Sequence, residues 1–141
     1  MKPLHALPLS VVYRPINLLA PNPRNPRKHS KSQLRQIAAS IREFGFTNPV
    51  LVDRKNTIIA GHGRVEAAKI EGMEEVPTIL LENLTPDQIK AYLVADNRLA
   101  EKAGWDYEIL AIELQELSIS ILPTSHSLAS MFLRLTRSCR K

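Results

Sequence analysis

The chain has 141 residues, of which 44% are hydrophobic, and its formal net charge is +5. This length and composition predict one domain with a modest core rather than two. The sequence has no apolar run of the roughly 18 to 20 residues that span a bilayer and no apolar core of a signal peptide. Cys139 is the single cysteine, so an internal disulfide is excluded. These features predict a soluble, cytoplasmic protein without membrane contact.

The basic residues are concentrated at the N-terminal end. Residues 1–42 carry a charge of +8 and no acidic side chain, residues 43–117 carry −7, and residues 118–141 carry +4. A basic segment on an acidic body suits an anionic partner such as a nucleotide or a nucleic acid. A solvated charged face is the commoner explanation of a charge run, so charge alone does not identify a partner.

A short strand is predicted around Ile16 to Leu19, before the proline-rich stretch "APNPRNPRK". The prolines exclude regular structure through Arg27. In an ordered loop they would hold Arg24, Arg27 and Lys28 in positions suited to a phosphate or a nucleic-acid backbone. In a disordered linker the same side chains would mean little.

The next segment, "SKSQLRQIAASIREFGF", is predicted to form a helix, because apolar residues recur in it at helical spacing. Ser30 and Gln33 can form a capping box at its start, and Gly45 can end it. The β-rich runs "NPVLVD" and "NTIIAG" predict a hairpin, and "EEVPTILLE" predicts a third strand.

Two further helices are predicted after these strands. Thr85 as N-cap, with Gln88 completing a capping box, predicts a helix from Pro86 to about Lys102. Asp106 is the predicted cap of a second helix, "DYEILAIELQEL".

The composition changes after Leu117. Residues 118–141 contain no acidic side chain and no helical period. A natural tail is the ordinary explanation; our hypothesis is that the segment is foreign to the domain, through a shifted reading frame or a truncation. The predicted organisation is an N-terminal extension (1–15), a domain (16–117) and an atypical basic tail (118–141).

The stretch "TIIAGHGRVEAAKI" places Gly61, His62, Gly63 and Arg64 between a strand and a helix that runs from after Gly63 to about Gly72. Backbone N–H groups at a helix N-terminus bind anions, and Arg64 can add a bidentate contact. Both glycines permit a tight turn and leave room for a phosphate. Glycines that serve only the turn are the alternative, which this short motif alone slightly favours. His62 has no second histidine at ligand spacing, which argues against zinc and leaves anion contact or simple exposure.

Asp96, Asn97 and Arg98 stand late in the helix that begins at Pro86. The first two fall on the helix face that is apolar in the preceding turns. Burying an unpaired amide costs roughly 2 to 7 kcal/mol, and a charge costs more. These side chains are therefore expected to be paired, metal-bound or open to a cleft. A salt bridge from Asp96 to Arg64 and a magnesium site are about equally compatible with the sequence.

Three blocks together resemble a known family. "NPRNPRKHSKSQLRQIAASIREFGFTNPVLVD", "IIAGHGRVEAAKIEGMEEVPTIL" and "LTPDQIKAYLVADNRLAE" stand in the order and spacing of the N-terminal domain of the ParB and sulfiredoxin superfamily. The nearest type is the ParB-like domain, including the "ParB-like nuclease" type, of phages, plasmids and DNA-modification cassettes. The resemblance covers about Ile16 to Leu117. It implies a small α/β (α+β) fold in which a mixed sheet is flanked by helices.

The resemblance also implies a nucleotide site. In partition ParB proteins the corresponding pocket binds and slowly hydrolyses CTP with magnesium, and this clamps a dimer on DNA. The implied nucleotide and phosphate contacts are Arg27, Gly61, His62, Gly63 and Arg64, and the implied metal ligands are Asp96 and Asn97. Further candidates for contact with DNA or phosphate are Arg24, Lys28 and Arg98.

Three positions depart from the patterns of the superfamily. Gly63 and Ala100 stand where the partition proteins usually carry arginine. His62 stands near the place where sulfiredoxin needs a cysteine, so sulfiredoxin activity is excluded.

Three functions are compatible with the sequence. The first is a module that binds CTP or another nucleotide with Mg²⁺, associates with DNA, and acts in partition or as an accessory to DNA modification, as a homodimer or with a methyltransferase-type partner. The second is a metal-dependent DNA nuclease, which ordinarily needs several carboxylates where only Asp96, with Glu66 or Glu101, can be placed. The third is a non-catalytic DNA-binding scaffold. The catalytic residues are unknown, and slow CTP hydrolysis and nuclease activity both stay open.

Overall fold

The computed structural model describes residues 8–121, 133–134 and 137, which form a four-stranded mixed sheet and its helices. The predicted α/β class is confirmed. The chain divides between Ala100 and Glu101 into two compact units, and the sheet lies in the first. The strands are β1 (Val11–Pro15), β2 (Val50–Val52), β3 (Ile58–Ala60) and β4 (Glu75–Leu80), and the helices are α1 (Lys31–Phe44), α2 (His62–Ile70), α3 (Pro86–Lys102) and α4 (Tyr107–Ile121).

The sheet has the strand order β1-β4-β2-β3. Strand β4 runs antiparallel to β1 and parallel to β2, and β2 runs antiparallel to β3. The predicted β2–β3 hairpin is therefore confirmed. Its turn is held by Asp53, whose Oδ1 accepts hydrogen bonds from the N–H groups of Lys55 and Thr57 at 2.8 Å each.

The first strand lies earlier in the chain than predicted. Ile16–Leu18 form a 3-10 turn where the sequence predicted a strand over Ile16 to Leu19, and β1 occupies Val11–Pro15. Ile16 and Leu19 are both buried, and this spacing of three suits a 3-10 turn better than the alternation of a strand. Because β1 pairs with β4, a domain boundary after residue 15 would separate an edge strand from its own sheet.

Caps fix the starts of α3 and α4 as predicted. Thr85 and Gln88 form a reciprocal capping box at α3, in which the Thr85 amide donates to Gln88 Oε1 (2.9 Å) and the Gln88 amide donates to Thr85 Oγ1 (3.2 Å). At α4, Asp106 Oδ1 accepts hydrogen bonds from two amides of the first turn. The predicted span of α3 is confirmed.

The predicted box at α1 is only half formed. Ser30 Oγ accepts a hydrogen bond from the Gln33 amide at 3.1 Å, as expected of an N-cap. The Gln33 side chain lies 3.1 Å from the ring of His29 instead of returning to the Ser30 amide. Gly45 ends the helix with a φ of 83°.

A buried apolar cluster joins α2 to the sheet. Val65, which is 1% exposed, and Ala68, which is fully buried, lie on the inner face of α2. Full burial of a valine side chain is worth roughly 1.5–3 kcal/mol, so this face anchors the first turns of α2 at the end of β3. The sheet and turn residues of the cluster are Ile16, Leu19, Val50, Val52, Ile58 and Val76.

The predicted tail overlaps α4. Residues 118–121 are the last residues of that helix. The remainder of the tail, apart from 133–134 and 137, lies outside the described residues, as do residues 1–7 of the predicted extension. The foreign origin of the tail stays a prediction. None of the described helices combines the length and the apolar character that crossing a bilayer requires.

Candidate functional site

A cavity of about 360 Å³ opens where the glycine-rich turn meets α1 and α3. Its walls are the loop of residues 25–29, α1, the end of β3, the start of α2 and the second half of α3. The predicted nucleotide and metal residues all line it, namely Arg27, Gly61, His62, Gly63, Arg64, Asp96 and Asn97. Arg24, Lys28 and Arg98, the further candidates for DNA or phosphate contact, are not among the lining residues.

The turn into α2 depends on one glycine. Gly61 is the N-cap and has a φ of 105° and a ψ of 20°, a left-handed conformation that favours glycine. The helix begins at His62, so the prediction that it starts after Gly63 was wrong by two residues. The reason is that Gly63 has ordinary helical torsions and closes the first turn. The first N–H groups of α2 thus lie at the cavity wall, without intrahelical partners.

Side chains of the protein itself occupy the space beside both glycines. A Cβ atom at Gly61 would lie 2.9 Å from Nη2 of Arg64, and one at Gly63 would lie 2.8 Å from Nε2 of His29. That the glycines also leave room for a phosphate stays a prediction. Their first effect is to let a guanidinium and an imidazole approach the start of α2.

Arg64 holds a half-buried positive charge in the cavity. Its Nη2 donates to the Pro49 carbonyl at 3.2 Å, while its buried Nε has no hydrogen-bond partner among the described residues. Burial lowers the pKa of Arg64, and the nearby Asp96 carboxylate partly opposes this. The alternative of a salt bridge between Arg64 and Asp96 is not found among the described residues.

The polar pair on α3 opens into the cavity, which is one of the three outcomes expected from the sequence. Asp96 is exposed there. Asn97 is half-buried: its amide donates to the Leu93 carbonyl at 2.8 Å, and its Oδ1 accepts from Nη1 of Arg27 at 3.4 Å. One turn earlier, burial and then the charge of Asp96 raise the pKa of Tyr92. Tyr92 lines the cavity, although its sequence position indicated only an apolar stripe.

His62 ties the proline-rich loop to α2. Its Nε2 accepts a hydrogen bond from the Asn22 amide at 3.1 Å, which requires a neutral ring with its hydrogen on Nδ1. Burial is the largest cause that lowers the pKa of His62, and nearby His29 lowers it further, against the opposing effect of Glu66. Both effects favour the neutral form that the Asn22 contact needs.

Asparagine side chains order the loop together with its prolines. Asn22 Oδ1 accepts from the Arg24 amide at 2.9 Å, and Asn25 Oδ1 accepts from the Arg27 amide at 3.2 Å. These are Asx turns, which the repeated Asn-Pro-Arg sequence signals. The second turn places Arg27 at the cavity and the first leaves Arg24 outside it. The sequence reasoning credited the prolines and missed the asparagines.

The donors at Asp96 and Asn97 do not make a complete metal site by themselves. Within the described residues, no three or more His, Cys, Asp or Glu side chains are grouped to hold a metal ion. Mg²⁺ commonly takes one or two carboxylates and fills its other positions with water and substrate phosphates. The pair therefore fits a Mg²⁺ ion that arrives with a nucleotide, and it does not fit a metal held by protein alone.

Comparison with known proteins identifies one family. A family model described as the ParB N-terminal domain matches residues 9–97. The chain is 52% identical over 80 residues to the ParB-like nuclease domain-containing protein YnaK of Escherichia coli. This alignment covers 57% of this chain and 92% of YnaK. The chain is 35% identical over 88 residues to the chromosome-partitioning protein Spo0J of Thermus thermophilus. This alignment covers 60% of this chain and 33% of Spo0J. The match thus spans nearly all of YnaK but only a third of Spo0J.

Solved structures share the fold. Truncated ParB of Caulobacter crescentus, complexed with CTP-gamma-S, matches with a TM-score of 0.72 and 25% identity over 87% of this chain and 71% of that one. Its complex with the centromeric parS site matches with a TM-score of 0.53 and 23% identity, over 86% of this chain and 64% of that one. Sulfiredoxin of Arabidopsis thaliana, at 0.50 and 18% identity over 60% of this chain and 97% of that one, shows the fold alone.

Proposed function

Since the chain belongs to the ParB N-terminal domain family, we propose that its cavity binds a nucleotide through the phosphates and that the domain works on DNA. The observation that carries the proposal is the guanidinium of Arg64. It is held half-buried in the cavity, and among the residues that the structure describes it has no ion pair and its Nε has no hydrogen-bond partner. A buried donor without an acceptor costs about 1–3 kcal/mol, so an arrangement that keeps one is best explained by a ligand that supplies the acceptor.

The charges of the cavity favour an anion. Arg27 and Arg64 line it together with His29 and His62, and Asp96 is the single carboxylate among the lining residues. Pockets for small ligands and cofactors commonly measure about 300–1,000 Å³, and this cavity of about 360 Å³ lies at the lower end of that range. CTP-gamma-S in the Caulobacter ParB complex supports CTP or another nucleoside triphosphate as the ligand.

We assign a part in binding to the first N–H groups of α2 and to four of the lining side chains. The first N–H groups of α2 and the forks of Arg64 and Arg27 would bind phosphate oxygens. Asp96 and Asn97 would hold Mg²⁺ with the nucleotide, and the ion would offset the negative charge of the phosphates. The Oδ1 of Asn97, which accepts from Arg27 Nη1, has a second lone pair that it could offer to the ion. Slow hydrolysis of the nucleotide is part of the proposal, and no side chain is assigned as its base.

The basic residues outside the cavity are the proposed DNA contacts. Arg24 and Lys28 are exposed on the ordered loop, and Arg98 is exposed on α3 one residue after the Asp96–Asn97 pair. The parS complex of the Caulobacter protein supports DNA as a partner. We propose a role in partition or as an accessory to DNA modification, with a homodimer or a methyltransferase-type protein as the further partner.

Calorimetry with matched arginine variants tests the proposal. The wild type, Arg64→Ala and Arg42→Ala would be titrated with CTP, ATP and GTP in magnesium. Arg42 is an exposed arginine that pairs with Glu71, outside the cavity, and serves as the control. Charge-assisted hydrogen bonds are worth about 1.5–3 kcal/mol, so Arg64→Ala is expected to weaken binding by about 10- to 150-fold and Arg42→Ala to leave it unchanged.

Incubation with plasmid DNA separates the alternatives. Plasmid cleavage in magnesium without nucleotide binding would replace the proposal by a nuclease function. DNA binding that falls steeply with salt and ignores added nucleotide would replace it by a scaffold function. Nucleotide binding that is equal in all three proteins would also contradict the proposal, because it would place the ligand away from Arg64.

A further inference from the structure

His29 precedes α1 in the chain but packs against the first turn of α2. A Cβ atom at Gly63 would lie 2.8, 2.9 and 3.1 Å from Nε2, Cε1 and Cδ2 of its ring. Contacts under about 3.0 Å are not sustained between non-bonded heavy atoms such as these. The ring can therefore keep its place only because residue 63 has no side chain.

A hydrogen bond fixes the orientation of this ring. His29 Nδ1 lies 3.1 Å from Oε1 of Gln33. An amide oxygen only accepts hydrogen bonds, so Nδ1 carries the hydrogen, and in the neutral ring Nε2 bears the lone pair. Among the described residues, no hydrogen bond reaches Nε2. The ring nitrogen that is left for a ligand is thus the one beside the start of α2.

Gln33 makes this contact in place of an ordinary helix cap. At α3 the equivalent glutamine, Gln88, returns to the Thr85 amide and completes a reciprocal capping box. At α1 Ser30 caps the helix, but the Gln33 side chain reaches His29. A stabilising contact of the helix end is replaced by one that holds an imidazole at the cavity wall.

We propose that His29 is a ligand-contacting residue of the nucleotide site, which donates from Nε2 to a phosphate oxygen and is admitted to that place by Gly63. The inference rests on the proposed nucleotide function and adds a residue to it. With a hydrogen on each ring nitrogen, the imidazole donates from Nδ1 to Gln33 and from Nε2 to the phosphate.

The surroundings of the ring suit contact with an anion. The charged groups that share the cavity with His29 are Arg27 from the loop, Arg64 from α2 and Asp96 from α3, and His62 and Tyr92 line it as well. Two arginines against one carboxylate leave a positive balance, so a phosphate is expected to be attracted to this part of the cavity.

A double-mutant cycle tests the pairing of His29 with Gly63. The wild type, His29→Ala, Gly63→Ala and the double variant would be titrated with CTP and magnesium. His29→Ala is expected to weaken binding about 10- to 100-fold, and Gly63→Ala to weaken it similarly by displacing the ring. The double variant is expected to bind no worse than His29→Ala, because the two changes remove one interaction.

Calorimetry and thermal unfolding together separate ligand contact from a purely structural role. A ligand contact is expected to lower the affinity of folded His29→Ala for CTP. A purely structural role would lower the unfolding midpoint and leave the affinity of the folded protein unchanged. Thermal unfolding of all four proteins checks that each is folded, and His29→Ala, which creates no clash, decides the matter if Gly63→Ala does not fold.

The experiment distinguishes a failure of the inference on His29 from a failure of the proposed function. If the wild type binds nucleotide, Arg64→Ala loses it and His29→Ala binds with wild-type affinity, the inference on His29 is overturned and the proposed function stands. Losses that multiply in the double variant would also overturn the pairing with Gly63. If the wild type binds no nucleotide, both proposals fall together.

Discussion

Replacing Arg64 by methionine is expected to stabilise the protein in the absence of ligand. The guanidinium is half-buried, its Nε lacks a partner among the described residues, and burial lowers its pKa. Methionine keeps an unbranched, flexible stem of similar length while it removes the charge and the unsatisfied donor. The same change would abolish the proposed contact with phosphate.

The size of the effect follows from two opposing terms. An unsatisfied buried donor costs about 1–3 kcal/mol, and the substitution removes that cost. The lost hydrogen bond from Arg64 to the Pro49 carbonyl costs about 1 kcal/mol, because Pro49 is only partly buried and water can replace the donor. The free energy of unfolding should therefore rise by about 1 kcal/mol, which raises Tm by about 4–8 °C in a domain of this size.

Urea denaturation followed by circular dichroism measures the change. Arg42→Met is the matched control, because Arg42 is exposed and its salt bridge with Glu71 is worth about 0–1 kcal/mol. That control should lose a little stability while Arg64→Met gains it. A loss of more than about 1 kcal/mol in Arg64→Met would show that the guanidinium serves the fold, and the reasoning that it is kept for a ligand would be refuted.

Three further predictions concern the turn, a histidine and a cap. Gly61→Ala should lower the free energy of unfolding by about 1–2 kcal/mol and also weaken nucleotide binding, because its Cβ would meet the Arg64 guanidinium. Gly72 has a φ of 73° and nothing within 4 Å of a Cβ added there, so Gly72→Ala is the control. It should lower the free energy of unfolding by a similar amount in urea melts and leave binding intact. The pKa of His62 is lowered by burial, so the stability it contributes is fully present above about pH 6.5 and declines as the pH falls from there towards its folded-state pKa; urea melts at several pH values should show this decline in the wild type and a flatter profile in His62→Gln. Thr85→Ala removes half of a capping box and should lower the free energy of unfolding by about 1 kcal/mol, and an unchanged urea midpoint would show that the box adds nothing.

Helices and the hairpin could be predicted because their signals are local. Thr85 with Gln88 and Asp106 cap the helices that their spacing indicates. The first strand was misplaced because apolar residues such as Ile16 and Leu19 are compatible with a strand and with a 3-10 turn. Only their contact with the core shows that they share one face. Propensity marks the elements, whereas their packing decides which apolar run is strand and which is turn.

Part of the site could also be predicted, because part of its signal is local. Arg64 and the glycines form a local motif, so the sequence indicated them together, and the cavity brings Arg27 and Asp96 to the same place. His29 could not be found, because its position depends on the missing side chain of Gly63, which is distant in sequence. A glycine pair at a helix start was a signal for close approach, but it could not tell which group approaches.

Nuclear magnetic resonance of the arginine side chains would show whether Arg64 binds the phosphates. In nitrogen-15-labelled protein titrated with CTP and magnesium, the Nε–H signals of Arg64 and Arg42 would be followed together. We expect the Arg64 signal to shift with saturation and to exchange more slowly with water, while the Arg42 signal stays in place. An Arg64 signal that does not change at saturating nucleotide would contradict the claim that this guanidinium binds the phosphates.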